Sequence, residues 1–368
     1  MTTSSCDTPQ LVLASASPAR LATLRSAGVD PHVVVSGVDE EAVVAQATER
    51  YGELEPADVA LLLARAKCED VATRLADEDG PGMLGDAFTS QVDQMWRDTP
   101  APYGPLSLQL QHLLVVVTGH QPYASALLVR IPAFVGVLLL AVYLPRLARR
   151  IGYDRETTIW LAVLNPLVLL HLVGGAHNDA LMIGLMVWGL WVAAKTHWAP
   201  AAVIIAAAAS VKQPAAVAIL AVAALHAWHV GGWRQQPSNA TVARYAVGVV
   251  SVFLASFVAI GLLTGLGFGW ITALGVPNAV RSFLSPVTTI AQGVDWALVH
   301  LGLIPDADLI VPVAQRIGQV VGLLIVAWLI VKFKARHPVR TLGWMLLVLV
   351  FTGPVVHPWY ILWGGLLF

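Results

Sequence analysis

Charge is scarce in this chain. Asp, Glu, Lys and Arg make up only 12% of its 368 residues, about half the share a soluble domain carries, which excludes a protein that keeps its whole surface in water. Cysteine is nearly absent. The two present, Cys6 and Cys68, stand in no CxxC or His-spaced pattern, which excludes a disulfide framework or a thiolate metal site and fits free thiols in a reducing compartment. The opening MTTSSCDTPQ has no basic stretch followed by a long apolar one, so it does not read as a cleaved signal peptide, and the N-terminal segment is expected in the cytoplasm. A net charge of −1, with the cations gathered at the ends of apolar runs, gives no nucleic-acid reading.

What is abundant is apolar: 57% of the residues, with a mean hydropathy of +0.70. The acids are unevenly placed. Fourteen of the 23 fall before Gly80, leaving nine for the remaining four-fifths of the chain. The two parts are built for different solvents, and the division is expected near Gly80: a soluble α/β segment over 1–80 and a polytopic, mainly α transmembrane bundle over 81–368.

In the first part, LVLA (11–14) reads as a short strand, LATLRSAG (21–28) as a helix stopped by Gly28, PHVVVSGVDEE as a second strand, and Pro56–Ala76 as an amphipathic helix with Val59, Leu62, Leu63, Ala66 and Val71 on one face. Between strand and helix lies Ser15-Ala16-Ser17-Pro18-Ala19-Arg20. Hydroxyls and free amides at a helix start, with an arginine one turn in, suit a phosphate; taken alone they read first as an N-cap with a surface arginine. The longer string LASASPARLATLRSAG, then SGVDEE, then LARAK, closely resembles the N-terminal third of the Maf family of nucleoside-triphosphate pyrophosphatases. The resemblance implies nucleotide-phosphate contacts at Ser15, Ser17, Arg20 and Lys67. It also implies a following apolar strand ending in Ala-Asp-Thr, whose aspartate is catalytic. In its place stand Asp77, Glu78 and Asp79 ahead of Gly80-Pro81-Gly82, an acidic linker, so the segment is expected to be vestigial, marginally stable and without catalysis.

From Ser107 onward, apolar runs recur at the length that crosses a bilayer, about 20 residues. They predict seven to nine spans, clearest over 126–147, 157–173, 180–194, 199–211, 215–230, 243–266, 309–331 and 342–355. Backbone groups freed at Pro166, Pro214 and Pro354 have to be satisfied inside the bundle. Three basic loops are assigned to the cytoplasm by the positive-inside rule: Arg146, Arg149, Arg150 and Arg155; Arg234 and Arg244; and Lys332, Lys334, Arg336 and Arg340. The opposite face then carries 96–105, 174–179, the surroundings of Lys212, the stretch 267–308 and 353–360. The run 106–118 is too short to cross and reads as an interfacial helix. No apolar run between Gly80 and Asp98 is long enough to cross, which conflicts with a cytoplasmic Gly80 and an outer Asp98 and points to a missing helix.

The polar residues of that outer face are the candidate site. Asp98 and Tyr103 stand in a proline-punctuated loop. His177-Asn178-Asp179 sits at a helix mouth, where Asp179 reads as a cap or as a functional carboxylate. Lys212 and Arg281 are cations suited to a lipid phosphate, with snorkelling the competing account for Lys212. His357-Pro358-Trp359-Tyr360 adds an imidazole among aromatics that also suit an interfacial belt.

The strings WRDTPAPYGPLSL, NPLVLLHLVGGAHNDALM, SVKQPA and GPVVHPWYILW, in that order, resemble the polyprenol-phosphomannose-dependent α-1,6-mannosyltransferases of the GT-C class over Leu84 to Phe368. The resemblance implies a multi-pass plasma-membrane enzyme with an extracytoplasmic site, a polyprenyl-phosphate-linked sugar donor and a glycan or lipoglycan acceptor. Asp98, Asp179 and His177 are then the catalytic candidates, and Lys212, Arg281, Tyr103, Asn178 and His357 the substrate-binding ones. No cofactor is indicated, and no divalent metal is expected in the membrane part. In that class the principal catalytic aspartate follows a first transmembrane helix, and neither is found here; the family also continues beyond Phe368. The expectation is a mannosyltransferase-like protein impaired by truncation. A Maf-type pyrophosphatase fragment is the alternative. A transporter or lipid flippase using His177, Asp179 and Lys212 is the third reading, which requires inverted repeats that the hydropathy does not display.

Overall fold

The computed structural model describes residues 12–26, 30–52, 55–78, 99, 101–119, 121–304, 310–332 and 337–368. The chain forms two compact units, Met1–Arg97 and Asp98–Phe368. The junction expected near Gly80 lies outside the described residues.

In the first unit, β1 (Val12–Leu13) and β2 (His32–Val33) pair in parallel, Val12 with His32 and Leu13 with Val33, around α1 (Pro18–Ser26). A helix absent from the sequence reading follows: α2 (Glu40–Tyr51) is started by Asp39, whose carboxylate accepts the Glu41 and Ala42 amides, and ends at Gly52 with φ +85°. In α3 (Pro56–Glu78) the predicted face is the less exposed one, with Val71 2% exposed, while Leu61 off that face is 70% exposed. Asp70 accepts the Gly37 amide at 2.8 Å and the Arg74 guanidinium at 2.7 Å, and Arg74 also donates to the Val35 carbonyl. These bonds tie α3 to the loop after β2. Pro31, Ala47 and Val71 are the buried apolar side chains among the unit's described residues, a thin core for its length.

The second unit is a mainly helical membrane bundle, and all eight predicted apolar runs are helical in it. The elements are α4 (Pro105–Val117), α5 (Pro122–Leu128), α6 (Ile131–Arg150), a bent pair over Arg155–Val163 and Val168–Gly174, α7 (Asp179–Lys195), α8 (Trp198–Val211), α9 (Ile219–Val230), α10 (Asn239–Leu263), α11 (Pro286–His300), α12 (Ile310–Val331), α13 (Pro338–Thr352) and α14 (Ile361–Gly365). Among the described residues four helical stretches are long and apolar enough to span, Tyr123–Arg150, Gln213–Val230, Asn239–Leu263 and Ile310–Val331; the bent pair makes a fifth if its 65° break is one crossing. The count expected from sequence was seven to nine. The other predicted runs fall short of a span because α7, α8 and α13 have only 14 to 17 residues each, roughly 21–26 Å of rise against a hydrocarbon core of about 30 Å, while α4, at 13 residues, is as short as its interfacial reading requires.

Small residues set the packing. α7 is the central helix, its Met182, Ile183, Met186 and Leu190 all inaccessible. A Cβ on Gly136 of α6 would fall 2.2 Å from the Ala180 carbonyl carbon of α7, and one on Gly184 would fall 2.3 Å from the Gly136 carbonyl oxygen. This is close backbone approach at a small-xxx-small surface. The Ala-rich α8 lies against the other side of α7, burying Ala201, Ala202, Ala208 and Ala209. On α10 and α12, by contrast, Leu254, Leu263, Ile317 and Leu324 stay 52–87% exposed, as lipid-facing side chains do.

The three proline breaks are satisfied as the bilayer requires. Asn165 accepts the Leu167 amide across Pro166 and donates to the Leu161 carbonyl. Lys212 accepts the Ala215 amide around Pro214. At Pro354 the carbonyls of Gly353, Pro354 and Val356 accept the hydroxyls of Ser285, Thr288 and Ser282 at 2.6–2.8 Å. Ser285 also caps α11, a helix inside the stretch expected only as an outer segment, and α11's buried Asp295 accepts the amides of Ile310 and Val311 at the start of α12.

Candidate functional site

One end of the bundle gathers the chain's polar turns. After the bent pair the backbone passes Gly175, where a Cβ would meet the His171 carbonyl at 2.7 Å, and Ala176, held at φ +51°. A left-handed conformation at a non-glycine residue is strained and marks a fixed turn. It delivers His177 and Asn178, then Asp179 in the first turn of α7, at the positive end of the helix dipole. Asp179 caps no amide of its own helix. Its carboxylate is 1% exposed and takes the Lys212 ammonium at 2.9 and 3.1 Å and the Trp363 indole N–H at 2.6 Å. Lys212 is 8% exposed. It extends from the end of α8 because Gln213-Pro214 cannot continue the helix, and its ammonium lies 4.4 Å from the Tyr360 ring centre, 5.0 Å from Trp363 and 5.9 Å from Tyr103. Lys212 therefore does not snorkel; its charge is neutralised inside the bundle.

Above this pair His177, Trp359 and His357 form a stack, with ring centres 3.8 and 4.4 Å apart. The segment 353–356, directly before His357, is held by the Ser282, Ser285 and Thr288 hydroxyls already described. Burial pulls both imidazoles below the ordinary histidine pKa, and the nearby Lys212 charge adds to this for each. Both rings are thus neutral near pH 7 and able to accept or donate a proton.

Tyr103 approaches because Gly104 lets the chain lie on α8: the Gly104 amide donates to the Val211 carbonyl, and a Cβ there would sit 2.2 Å from the Ser210 carbonyl oxygen. Asn178 donates to the Ser107 hydroxyl at 3.4 Å, and Gln111 to the same hydroxyl at 3.3 Å. Tyr103, Ser107, Gln111, His177 and Asn178 line a cavity of about 250 Å³ with apolar Leu110 and Leu181.

Of the sequence candidates, the fold thus brings together Tyr103, His177, Asn178, Asp179, Lys212 and His357. Arg281 is exposed and donates to the Asn278 carbonyl, one residue before the Ser282 that holds Val356. Asp98 lies outside the described residues. Trp363, Ser107 and the three clamping hydroxyls were not found by sequence reading; each is an ordinary residue of an apolar or loop stretch until its partner is known. In the N-terminal unit, Arg20 and the Ser17 amide both reach the Ser15 hydroxyl, at 3.5 and 3.2 Å, whereas Lys67 is engaged by Glu40 at 2.5 Å. Among the described residues no three His, Cys, Asp or Glu side chains converge to hold a metal ion.

A helical membrane bundle with a buried carboxylate–ammonium pair beside a small cavity of mixed polar and apolar lining is the class of protein these features define. Comparison with known proteins narrows it. Residues 76–228 match the family model described as Alpha-(1->6)-mannopyranosyltransferase, N-terminal domain, and residues 287–368 the MptB C-terminal domain. The chain is 33% identical to an alpha-(1->6)-mannopyranosyltransferase of Mycobacterium tuberculosis, over 79% of this chain and 57% of that protein. It is 32% identical to alpha-(1->6)-mannopyranosyltransferase B of Corynebacterium glutamicum, over 74% and 48%. Residues 10–89 match the Maf-like protein model, and a nucleoside triphosphate pyrophosphatase of Mycobacterium ulcerans is 55% identical over 23% of this chain and 38% of that protein. The chain spans about half the length of the mannopyranosyltransferases it matches. No solved structure matches. The membrane part is mannopyranosyltransferase-like, and the N-terminal segment is Maf-like.

Proposed function

We propose that the membrane part handles a mannosyl group in the cavity beside Asp179, taking it from a polyprenyl-phosphate donor for transfer to an α-1,6-mannan acceptor of a cell-envelope lipoglycan. The observation that carries this reading is the Asp179–Lys212–Trp363 node beside a cavity of about 250 Å³. That volume lies just under the usual range for whole ligands, so it suits one sugar ring with the lipid left in the bilayer.

In this reading an acceptor hydroxyl oxygen bonds to C1 of mannose, the C1–O bond to the donor phosphate breaks, and the phosphate leaves with the electron pair. The hydroxyl proton goes to a base. Asp179 is poorly placed for that, because Lys212 and Trp363 occupy its oxygens; neutral His177, on the cavity wall, and Asp98 are the bases. Asp179 and Lys212 then act as positioning residues, and Arg281 takes the donor phosphate. The membrane is the plasma membrane, with the Maf-like segment on the cytoplasmic side and its junction near Gly80, where the two family matches overlap over 76–89. Bidentate donation by arginine and the lipid-borne leaving group both suit a site at a membrane surface.

The test uses membranes containing the full chain. Transfer of labelled mannose from polyprenyl phosphomannose to an α-mannoside, above membranes without the chain and lost in His177→Ala, supports an active transferase. Saturable binding of the mannoside without transfer supports a sugar site that does not turn over. Inserted protein showing neither overturns the proposal.

A further inference from the structure

At the far end of α7 lies a second cavity, larger and of opposite character. It measures about 720 Å³ and is lined by Arg146, Arg149, Arg150, Arg155, Trp191 and Lys195. Asp179 opens α7 and Lys195 closes it, so the two cavities lie about 24 Å apart along the helix, on opposite sides of the bundle.

Five cations converge here from three segments: the last two turns of α6, the start of the bent pair and the last turn of α7. Among the described residues, none of the five makes a salt bridge to a carboxylate. Two acids flank Arg155 in sequence: Asp154 caps its own helix through the Thr157 amide at 2.6 Å, and Glu156 stands exposed in the first turn of the same helix. Aromatic rings back the cations instead, with Lys195 4.9 Å from the centre of Trp191, Arg146 5.6 Å from that of Tyr143, and Tyr143 packed on Trp191 at 4.9 Å.

Membrane topology accounts for arginines at this end, and the negative ends of α6 and α7 account for cations in their last turns. Neither accounts for convergence on one cavity. Arg155 goes further against them, since it stands in the first turn of its helix, where the dipole disfavours a cation. Five like charges around one concavity, without a salt bridge among the described residues, repel one another, and a multivalent anion relieves that repulsion.

We propose that this cavity binds a phosphate-bearing anion, either the headgroup of an anionic phospholipid or a free polyphosphate, at a site distinct from the sugar cavity. The guanidinium forks of Arg149 and Arg155 grip the phosphate oxygens, and Trp191 with Lys195 forms the opposite wall. The volume falls within the range of ligand pockets.

The experiment is native mass spectrometry of the purified full chain in phosphatidylcholine-containing detergent, titrated separately with cardiolipin and with inorganic pyrophosphate. The expected result is retention of one anion, weakened at least about tenfold in R149Q/R155Q. Lys332→Gln, which removes a charge outside the cavity, leaves retention unchanged. Arg155→Gln and Lys195→Gln, one change on each side of the cavity, give the same answer if the double variant does not fold. Retention of cardiolipin alone assigns the site to a lipid headgroup, and of pyrophosphate alone to a soluble phosphate. Retention of neither, or equal retention by wild type and every cavity variant, overturns the proposal.

Discussion

Removing the charge of Asp179 tests whether the buried pair is held in a dry interior. In Asp179→Asn the shape is kept and the Trp363 N–H retains an oxygen to bond, but the Lys212 ammonium, 8% exposed, loses its carboxylate. Three aromatic rings remain within 6 Å of it, and each contributes on the order of 0.5–2 kcal/mol. They offset part of the loss. Breaking a buried pair from one side costs about 3–5 kcal/mol, which at roughly 2–4 °C per kcal/mol lowers the melting temperature by about 6–20 °C. Lys212→Met costs a similar amount by stranding the carboxylate. The double variant strands neither charge, so it is more stable than the sum of the two changes requires, by about 2 kcal/mol or more. Thermal unfolding of the four proteins in one detergent measures this. Strict additivity would show that the two charges do not face each other in a low-dielectric site, and the site geometry argued above would fall with it.

Gly136→Leu places a side chain where even a Cβ falls 2.2 Å from the Ala180 backbone; the helices must part, at a cost of at least about 3 kcal/mol, read as loss of detergent-stable folded protein. Leucine tolerated there without loss would mean that α6 and α7 do not cross at this point. Thr288→Val leaves the Pro354 carbonyl without its hydroxyl donor and the Gln315 amide without its acceptor, costing about 1–3 kcal/mol, and faster hydrogen exchange over 353–360 is the expected signature. In the N-terminal unit, the Gly37 amide, followed by Arg74, holds the Asp70 carboxyl below its ordinary pKa. A carboxyl whose pKa is lowered on folding stabilises above its unfolded pKa of about 3.9 and loses that stabilisation as pH falls through the folded value. Protease cleavage within α3 should therefore rise on acidification below about pH 4, and Asp70→Asn should show the same cleavage at neutral pH; a flat profile for the wild type sinks the assignment.

The fold was legible where a physical rule acts locally. Apolar runs read as helices because backbone in lipid must satisfy itself, and all eight do form helices. What local pattern cannot supply is length after breaks: Pro166 bends one run by 65°, and α7, α8 and α13 stop short of a span. The helix α2 was missed although Asp39-Glu40-Glu41 is an N-terminal signature, because the β-branched PHVVVSGVDEE dominated the reading. α11 carries Ser285-Pro286, an equally good start signal, inside a stretch whose proline and glycine content reads as loop.

The site was legible in membership and not in pairing. Asp179 and Lys212 stand out in any apolar chain, since ionisable groups there are costly enough to need a reason. The sequence reading made Asp179 a helix cap or catalytic carboxylate and Lys212 an anchor for a lipid phosphate. The structure gives each the other, a choice set by the relative placement of α7 and α8, and hence by Gly189, where a Cβ would fall 2.9 Å from the Ile205 side chain, and by the alanines of α8 rather than by any residue near the charges. Trp363 illustrates the same limit. Its indole donates at 2.6 Å to a carboxylate 184 residues earlier, and nothing in ILWGG distinguishes it from an interfacial tryptophan. The long-range packing of small residues thus decides the electrostatics of the site. A substitution such as Gly189→Ala, whose added methyl presses on Ile205 of α8, acts on the Asp179–Lys212 distance before it acts on anything that lines the sugar cavity.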